Sequence, residues 1–198
     1  MSNEFSLQRH IHHHIGRGVA LAAIGMALVG AAPAFAQKVK LTTTAGDIVI
    51  ELDAAKAPKS VENFLTYVKA GHYEGTVFHR VIPNFMIQGG GMLPDLKEKT
   101  TRAPIALESM NGLANTKGTV AMARTGVPNS ATAQFFINVK DNDFLNGTRE
   151  GTGYAVFGKV TSGMDVVEKI RGARTDSKGP YENVPVEPII IKQATLEK

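Results

Sequence analysis

Residues 78–90 read Phe78-His79-Arg80-Val81-Ile82-Pro83-Asn84-Phe85-Met86-Ile87-Gln88-Gly89-Gly90. Two short runs rich in β-formers, 77–82 and 85–88, flank a Pro-Asn turn, which predicts a strand-turn-strand. Side chains alternate across a strand, so Arg80 and Gln88 can share a face, with Phe85 and Met86 between them.

The same kind of segment continues in both directions. Upstream, KVKLTTT over 38–44 sets Val39, Leu41 and Thr43 against Lys38, Lys40 and Thr42. DIVIEL over 47–52 places Ile48, Ile50 and Leu52 on one face, and Ala45-Gly46 between the two runs predicts a tight hairpin. Pro58 can open a helix at its first position. Val61, Phe64, Leu65 and Val68 then form one apolar stripe, and Gly71 can end it. Downstream, 119–123, 134–139 and 154–160 predict further strands, separated by Gly, Pro, Asn and Asp clusters. Met164, Val167 and Ile170 mark a second helix over Met164–Arg171. The last strand is expected over 186–194, with Pro188 at its start or on an edge. About eight short strands with two helices predict a closed or nearly closed antiparallel barrel, mainly β. The helices are too few to cover both faces of a parallel sheet. Periodicity alone carries no function.

The chain of 198 residues, 43% hydrophobic, can bury one core, and no repeat or linker divides residues 38–198. It has no cysteine, which excludes disulfides, thiolate zinc sites and cysteine nucleophiles. A formal charge of +4 does not predict nucleic-acid binding. Residues 19–36 read VALAAIGMALVGAAPAFA, preceded by Arg9 and Arg17. The apolar run from Val19 to Val29 is short for a membrane span, and Ala34-Phe35-Ala36 fits an A-x-A cleavage site. Residues 1–36 are therefore expected to be a cleaved secretory signal, leaving an exported domain over 37–198 with periplasmic location or secretion beyond. His10, His12, His13 and His14 fall in the removed segment and are read as an unusual flank or a tag remnant rather than a metal site. Only His72 and His79 remain, so no metal centre is expected.

Three blocks could carry chemistry: 78–90, Met122-Ala123-Arg124-Thr125 followed by Gln134-Phe135-Phe136, and Asp143-Phe144-Leu145. Phe85, Met86, Phe136, Phe144 and Leu145 could line an apolar cup with Arg80 and Gln88 at its rim, a common form of binding site. The plain alternative is that the phenylalanines fill the barrel and Arg80 is a surface ion-pair partner. His79 lacks a partner motif and is read as a structural residue. Gly89-Gly90-Gly91 lacks the Lys-Ser/Thr of a phosphate loop, and Asp141-x-Asp143 fails as a calcium loop because Leu145 takes the next ligand position. Three function classes stay open on the residues themselves: an enzyme, a binding module without turnover, and an exported small-ligand barrel.

The FHRVIPNFMIQGG block, with AMART, SATAQFFINV and YAVFGKV in that order, resembles the cyclophilin family of peptidyl-prolyl cis-trans isomerases, in its bacterial periplasmic branch. The resemblance covers essentially all of residues 38–197. It implies a closed eight-stranded antiparallel barrel with a helix over each end, and isomerisation of X–Pro bonds without a cofactor. It puts the catalytic arginine at Arg80, supported by Gln88. The proline pocket falls on Phe85, Met86, Phe136 and Leu145, a second glutamine on Gln134, and peptide-backbone binding on Ala123, Arg124 and Thr125. Phe144, Arg124 and Tyr154 stand where cyclosporin-sensitive members carry Trp, Asn and His. Losing the indole N–H removes a donor that could bind the drug. The implied partners are proline-containing, unfolded or partly folded exported polypeptides, with no nucleic acid, no membrane after cleavage, and a monomeric protein.

Overall fold

The computed structural model describes residues 36–197. The expected signal segment and its histidines lie outside the described residues, apart from Ala36 at its end. Ten strands form, as β1 (Lys38–Thr43), β2 (Asp47–Leu52), β3 (Val77–Ile82), β4 (Met86–Met92), β5 (Thr119–Met122), β6 (Phe135–Asn138), β7 (Val156–Ser162), β8 (Thr175–Lys178), β9 (Tyr181–Pro185) and β10 (Ile191–Glu197). Eight of them make one antiparallel sheet in the order β10-β1-β2-β7-β5-β6-β4-β3. The sheet curls into a barrel, and its free edges, β10 and β3, meet through residues 189–191. Val77 and Ile190 form a single bridge. Phe78 N–H donates to the Ile189 carbonyl at 3.0 Å, and Ile191 N–H donates to the Thr76 carbonyl at 2.8 Å. The expected closure is thus made by a short bridge rather than a full ladder. That also moves the start of β10 from the expected 186 to Ile191: residues 189–191 serve the β3 edge before the chain reaches β1.

The hairpin of β1 and β2 turns where expected, with Thr43 Oγ1 accepting from Ala45 N–H at 3.0 Å and from Gly46 N–H at 3.1 Å. Helix α1 (Pro58–Lys69) starts at its proline and buries Val61, Phe64, Leu65 and Val68 in the barrel core. No side chain of its own caps it. Instead Glu108 accepts from the backbone N–H groups of Lys59 at 3.0 Å and Ser60 at 2.8 Å. A carboxylate there also complements the helix dipole. Helix α2 (Met164–Arg171) buries Val167 and Ile170. Both helices contribute to one core, built around Phe64, Tyr73, Phe78, Phe135 and Phe157. The β8–β9 hairpin was not expected. TDSKGPYENVP has no alternating apolar pattern, and Val184 and Pro185 are its only buried residues.

The glycine run 89–91 has a packing cause. Gly90 has φ +86°, and a Cβ there would stand 2.8 Å from both the Phe135 and Tyr73 rings. A Cβ on Gly91 would collide with the Gln134 side chain. Gly90→Ala is expected to lower unfolding free energy by about 2–4 kcal/mol, adding backbone strain to overpacking. Urea denaturation of the two proteins checks this, and an unchanged midpoint contradicts it.

Candidate active site

Adjacent residues of these strands face opposite ways, and a second apolar cluster forms on the face away from the core. It comprises Met86, Ala121, Ala123, Phe136, Leu145 and Val156, with Ile82, Phe85, Leu113 and Tyr154 packed against it. Phe135, Ile87, Val120, Met122 and Phe157, each one position away, belong to the barrel core. Phe136 therefore does not fill the barrel.

Reaching that face requires a break in β3. Phe78 pairs with Gly89 and Arg80 pairs with Gln88, so His79 is an extra residue opposite nothing. In a regular strand Phe78 and Arg80 would share a face. The bulge reverses the alternation, so Phe78 joins the core while Ile82, two residues beyond Arg80, joins the outer cluster. Bulges of this kind re-aim side chains next to sites.

The register then lines up one row across five strands. Arg80 pairs with Gln88, Gln88 with Phe136, Phe136 with Ala121, and Ala121 with Val156. At the usual strand spacing, Arg80 and Phe136 are about 10 Å apart along the row. Arg80 is half-buried. Gln88 Nε2 donates to Gln134 Oε1 at 2.8 Å, which leaves Gln88 Oε1 as the acceptor beside the arginine. Among the described residues, Arg80 makes no ion pair and no side-chain hydrogen bond to the protein.

Phe85 sits in the β3–β4 turn and stacks on Phe144 at 5.5 Å and 26°. Phe144 belongs to the short 3-10 turn Asp143–Leu145 and is 74% exposed, whereas Leu145 is buried. Phe85, Met86, Phe136 and Leu145 come together in the one cluster, whereas Phe144 lies outside it, exposed and stacked on Phe85. Tyr154 meets Phe136 edge-on at 5.6 Å. Arg124 lies over the Tyr154 ring at 4.8 Å and donates through Nε to the Gly153 carbonyl at 2.9 Å. Ala123 N–H donates to the Gln134 carbonyl at 3.0 Å. Thr125 is exposed, and its N–H donates to Ser130 Oγ at 3.0 Å.

Sequence reasoning missed the polar supports of this cluster. Asn115, Asn138 and Asn142 are buried and linked, Asn138 donating to Asn115 Oδ1 at 3.1 Å and Asn142 donating to Asn138 Oδ1 at 2.7 Å. Asn142 also donates to the Phe85 carbonyl at 2.9 Å, and Asn115 to the carbonyls of Leu145 at 3.2 Å and Tyr154 at 3.3 Å. The network thus fixes three separate segments of the rim. Nothing in the sequence pattern marks these asparagines, which read as turn residues. Ile82, Leu113, Ala121 and Val156 of the floor were missed as well; the alternation along their strands is the only signal for three of them. Among the described residues, no three His, Asp or Glu side chains gather in a way that could hold a metal ion.

Comparison with known proteins agrees with this geometry. The family described as cyclophilin type peptidyl-prolyl cis-trans isomerase/CLD matches residues 38–196. The chain belongs to the cyclophilin-type isomerases. A peptidyl-prolyl cis-trans isomerase of Streptomyces antibioticus is 60% identical over 161 residues, covering 80% of this chain and 97% of the relative. Isomerase B of Escherichia coli K12 is 55% identical over 159 residues, covering 79% and 97%. A Cryptosporidium parvum cyclophilin crystal structure superposes with a TM-score of 0.73 at 30% identity, covering 83% of this chain and 99% of that one. The same Cryptosporidium protein in the presence of the dipeptide Ala-Pro gives 0.72 at 30% identity, covering 82% and 99%. The activity of this cyclophilin is peptidyl-prolyl cis-trans isomerisation.

The bulged His79 has an electrostatic consequence beside Arg80. Burial holds its pKa down to about 4 from 6.5, and the charge of Arg80 pushes the same way against a backbone hydrogen bond at Val77. The imidazole is therefore neutral at neutral pH and adds no competing cation next to the arginine. Its folded pKa lies below its unfolded value, so the unfolded chain takes the proton first. Stability is undiminished above pH 6.5 and falls as pH drops toward about 4. The loss attributable to this group is on the order of 3 kcal/mol. Urea midpoints measured from pH 7 downward should fall more steeply for the native protein than for His79→Gln; parallel slopes would exclude the effect.

Proposed function

We propose that this cyclophilin holds the proline ring of an X–Pro segment in the Phe85/Met86/Phe136/Leu145 hollow and stabilises the half-rotated amide with Arg80. An X–Pro bond isomerises over a barrier of about 20 kcal/mol, because rotation sacrifices amide resonance. In the twisted state the prolyl nitrogen becomes pyramidal and regains a lone pair. A donor aimed at that lone pair binds the twisted state better than the planar one, which is the requirement for catalysis. The row running Arg80–Gln88–Phe136 carries this reading: one cation, one orienting amide and one aromatic wall stand side by side on the same face.

Arg80 donates to the nitrogen, and a fixed donor of this kind contributes about 3–4 kcal/mol. In the substrate complex Gln88 Oε1 accepts from the guanidinium and orients it, the Gln88 amide nitrogen already being held by Gln134. The apolar walls fix the ring while the preceding carbonyl turns, a positional contribution. Ala123, Arg124 and Thr125 hold the flanking peptide, with Tyr154 and Phe144 at the rim. Arginine keeps its charge at any working pH, so the donor does not titrate away. No bond is broken, and the residues described supply every group that this scheme uses.

The clients are proline-containing segments of unfolded or partly folded exported proteins, and the protein assists their folding as a monomer in the periplasm or beyond. Export rests on the apolar run before Ala36 with its A-x-A end. Its supporting detail is that Gln37 already belongs to the fold: the Leu52 N–H donates to the Gln37 carbonyl at 2.8 Å. Monomeric behaviour rests on Met110, Val127 and Phe144 being the only large exposed hydrophobics among the described residues.

Arg80→Ala should keep the native melting temperature and lose roughly 10²–10³ in kcat/KM in a protease-coupled isomerisation assay. Near-native turnover in that variant removes Arg80 from its role. Turnover absent from the unaltered protein would favour a binding module. Phe136→Ala should weaken peptide binding and cost about 3–5 kcal/mol of stability, so both are measured together. Mass spectrometry of the exported protein should find a chain beginning at Gln37.

A further inference from the structure

Arg124 is held in place before any substrate arrives. A guanidinium has five N–H donors. Two are used: Nε on the Gly153 carbonyl at 2.9 Å and Nη1 on the Thr125 carbonyl at 2.9 Å. Both acceptors are neutral main-chain groups, so the positive charge stays uncompensated. The third contact is the Tyr154 ring at 4.8 Å, and that ring stands edge-on to Phe136 at 5.6 Å. Three donors of a half-buried cation are therefore left at the border of the apolar hollow.

We infer that Arg124 makes the enzyme favour prolines with an acidic residue within two positions in the chain, an inference that rests on the reading of the hollow as the proline pocket. The planar fork of arginine suits a carboxylate. The side chain is already immobilised, so little further conformational freedom is lost on binding. Among the described residues the ion pairs lie elsewhere, and none includes Arg124 or Arg80. Asp143 and Glu150, on the segments that border the hollow, are exposed and unpaired with either arginine. The hollow thus has Arg80 in its strand row and Arg124 against its Tyr154 wall. A lysine beside the proline meets like charge, and a glutamate meets unsatisfied donors.

The experiment uses peptides of one length carrying Glu, Ala or Lys at each of the two positions on either side of the proline. For the unaltered enzyme, kcat/KM at one or more positions should be about five-fold higher with Glu than with Lys, the scale of a partly exposed ion pair. Raising salt to about 1 M, where screening acts within ~3 Å, should bring that ratio toward one. Arg124→Gln should lose the ratio at low salt, whatever it does to turnover of the Ala peptide. A ratio near one at every position at low salt, or one that survives salt or the substitution, overturns the inference. If the Ala peptide is turned over while the ratio is one, only this inference fails. If no peptide is turned over, the proline-pocket reading fails with it.

Discussion

A strand can present a residue to the core or to the other face, and the choice is fixed two residues earlier unless the ladder is interrupted. Everything at this site depends on one such interruption. Phe78 must be inside, because it packs with Phe135 in the barrel core at a ring separation of 6.2 Å. Arg80 must be outside, beside Gln88. A regular strand satisfies one demand or the other. The unpaired His79 satisfies both, and its own side chain is buried and neutral as a result. The histidine, read from the sequence as a structural residue, is the hinge of the alternation, and the neighbour it re-aims carries the charge.

A donor stabilises a twisted amide only if it does not have to be organised during the reaction. The outer cluster is covered by residues outside the strands, such as Leu113, Leu145 and Tyr154, rather than by a second sheet, and polar links order those segments. Gln134 fixes the Gln88 amide. The Asn115–Asn138–Asn142 chain holds the carbonyls of Phe85, Leu145 and Tyr154, so the walls of the hollow are tied to one another through the interior. Gly91 belongs to the same scheme, since only a residue without Cβ leaves Gln134 its place. Buried polar chains of this kind order the segments they bond to and cost stability where a group stays unpaired; here Asn142 Oδ1 is buried without a partner among the described residues. The bonds that are made tie the Phe85, Leu145 and Tyr154 segments of the outer cluster together.

Most strand positions and both helices were readable because their cause is local. Alternation in KVKL and DIVIEL, Pro58 at a helix start, and the Met164–Arg171 stripe each reflect burial of one face. Arg80 and Gln88 could be paired on paper because a two-strand turn sets their register. Three things were not readable, each for a different reason. The β8–β9 hairpin hardly contributes to the core, so it leaves no apolar period. Closure by residues 189–191 is a long-range pairing that no local pattern encodes. The asparagines act through hydrogen bonds between residues far apart in sequence, and each looks like an ordinary turn former.

Placing the hollow outside the barrel separates two kinds of constraint. Phe135 and Phe136 are neighbours in the chain, yet Phe135 packs against Phe64, Tyr73 and Phe78. A change of shape there is felt by the whole core. Phe136 packs in the smaller outer cluster, and among the described residues Phe144 stacks on no ring but Phe85. Arg124, Phe144 and Tyr154, the positions where the family resemblance implies departures from the cyclosporin-sensitive pattern, lie at the edge of this outer cluster. These three can be exchanged without repacking the barrel, because their contacts are with one another, with Phe85, Phe136 and main-chain carbonyls. The same architecture therefore leaves these edge residues open to exchange while the barrel core stays packed.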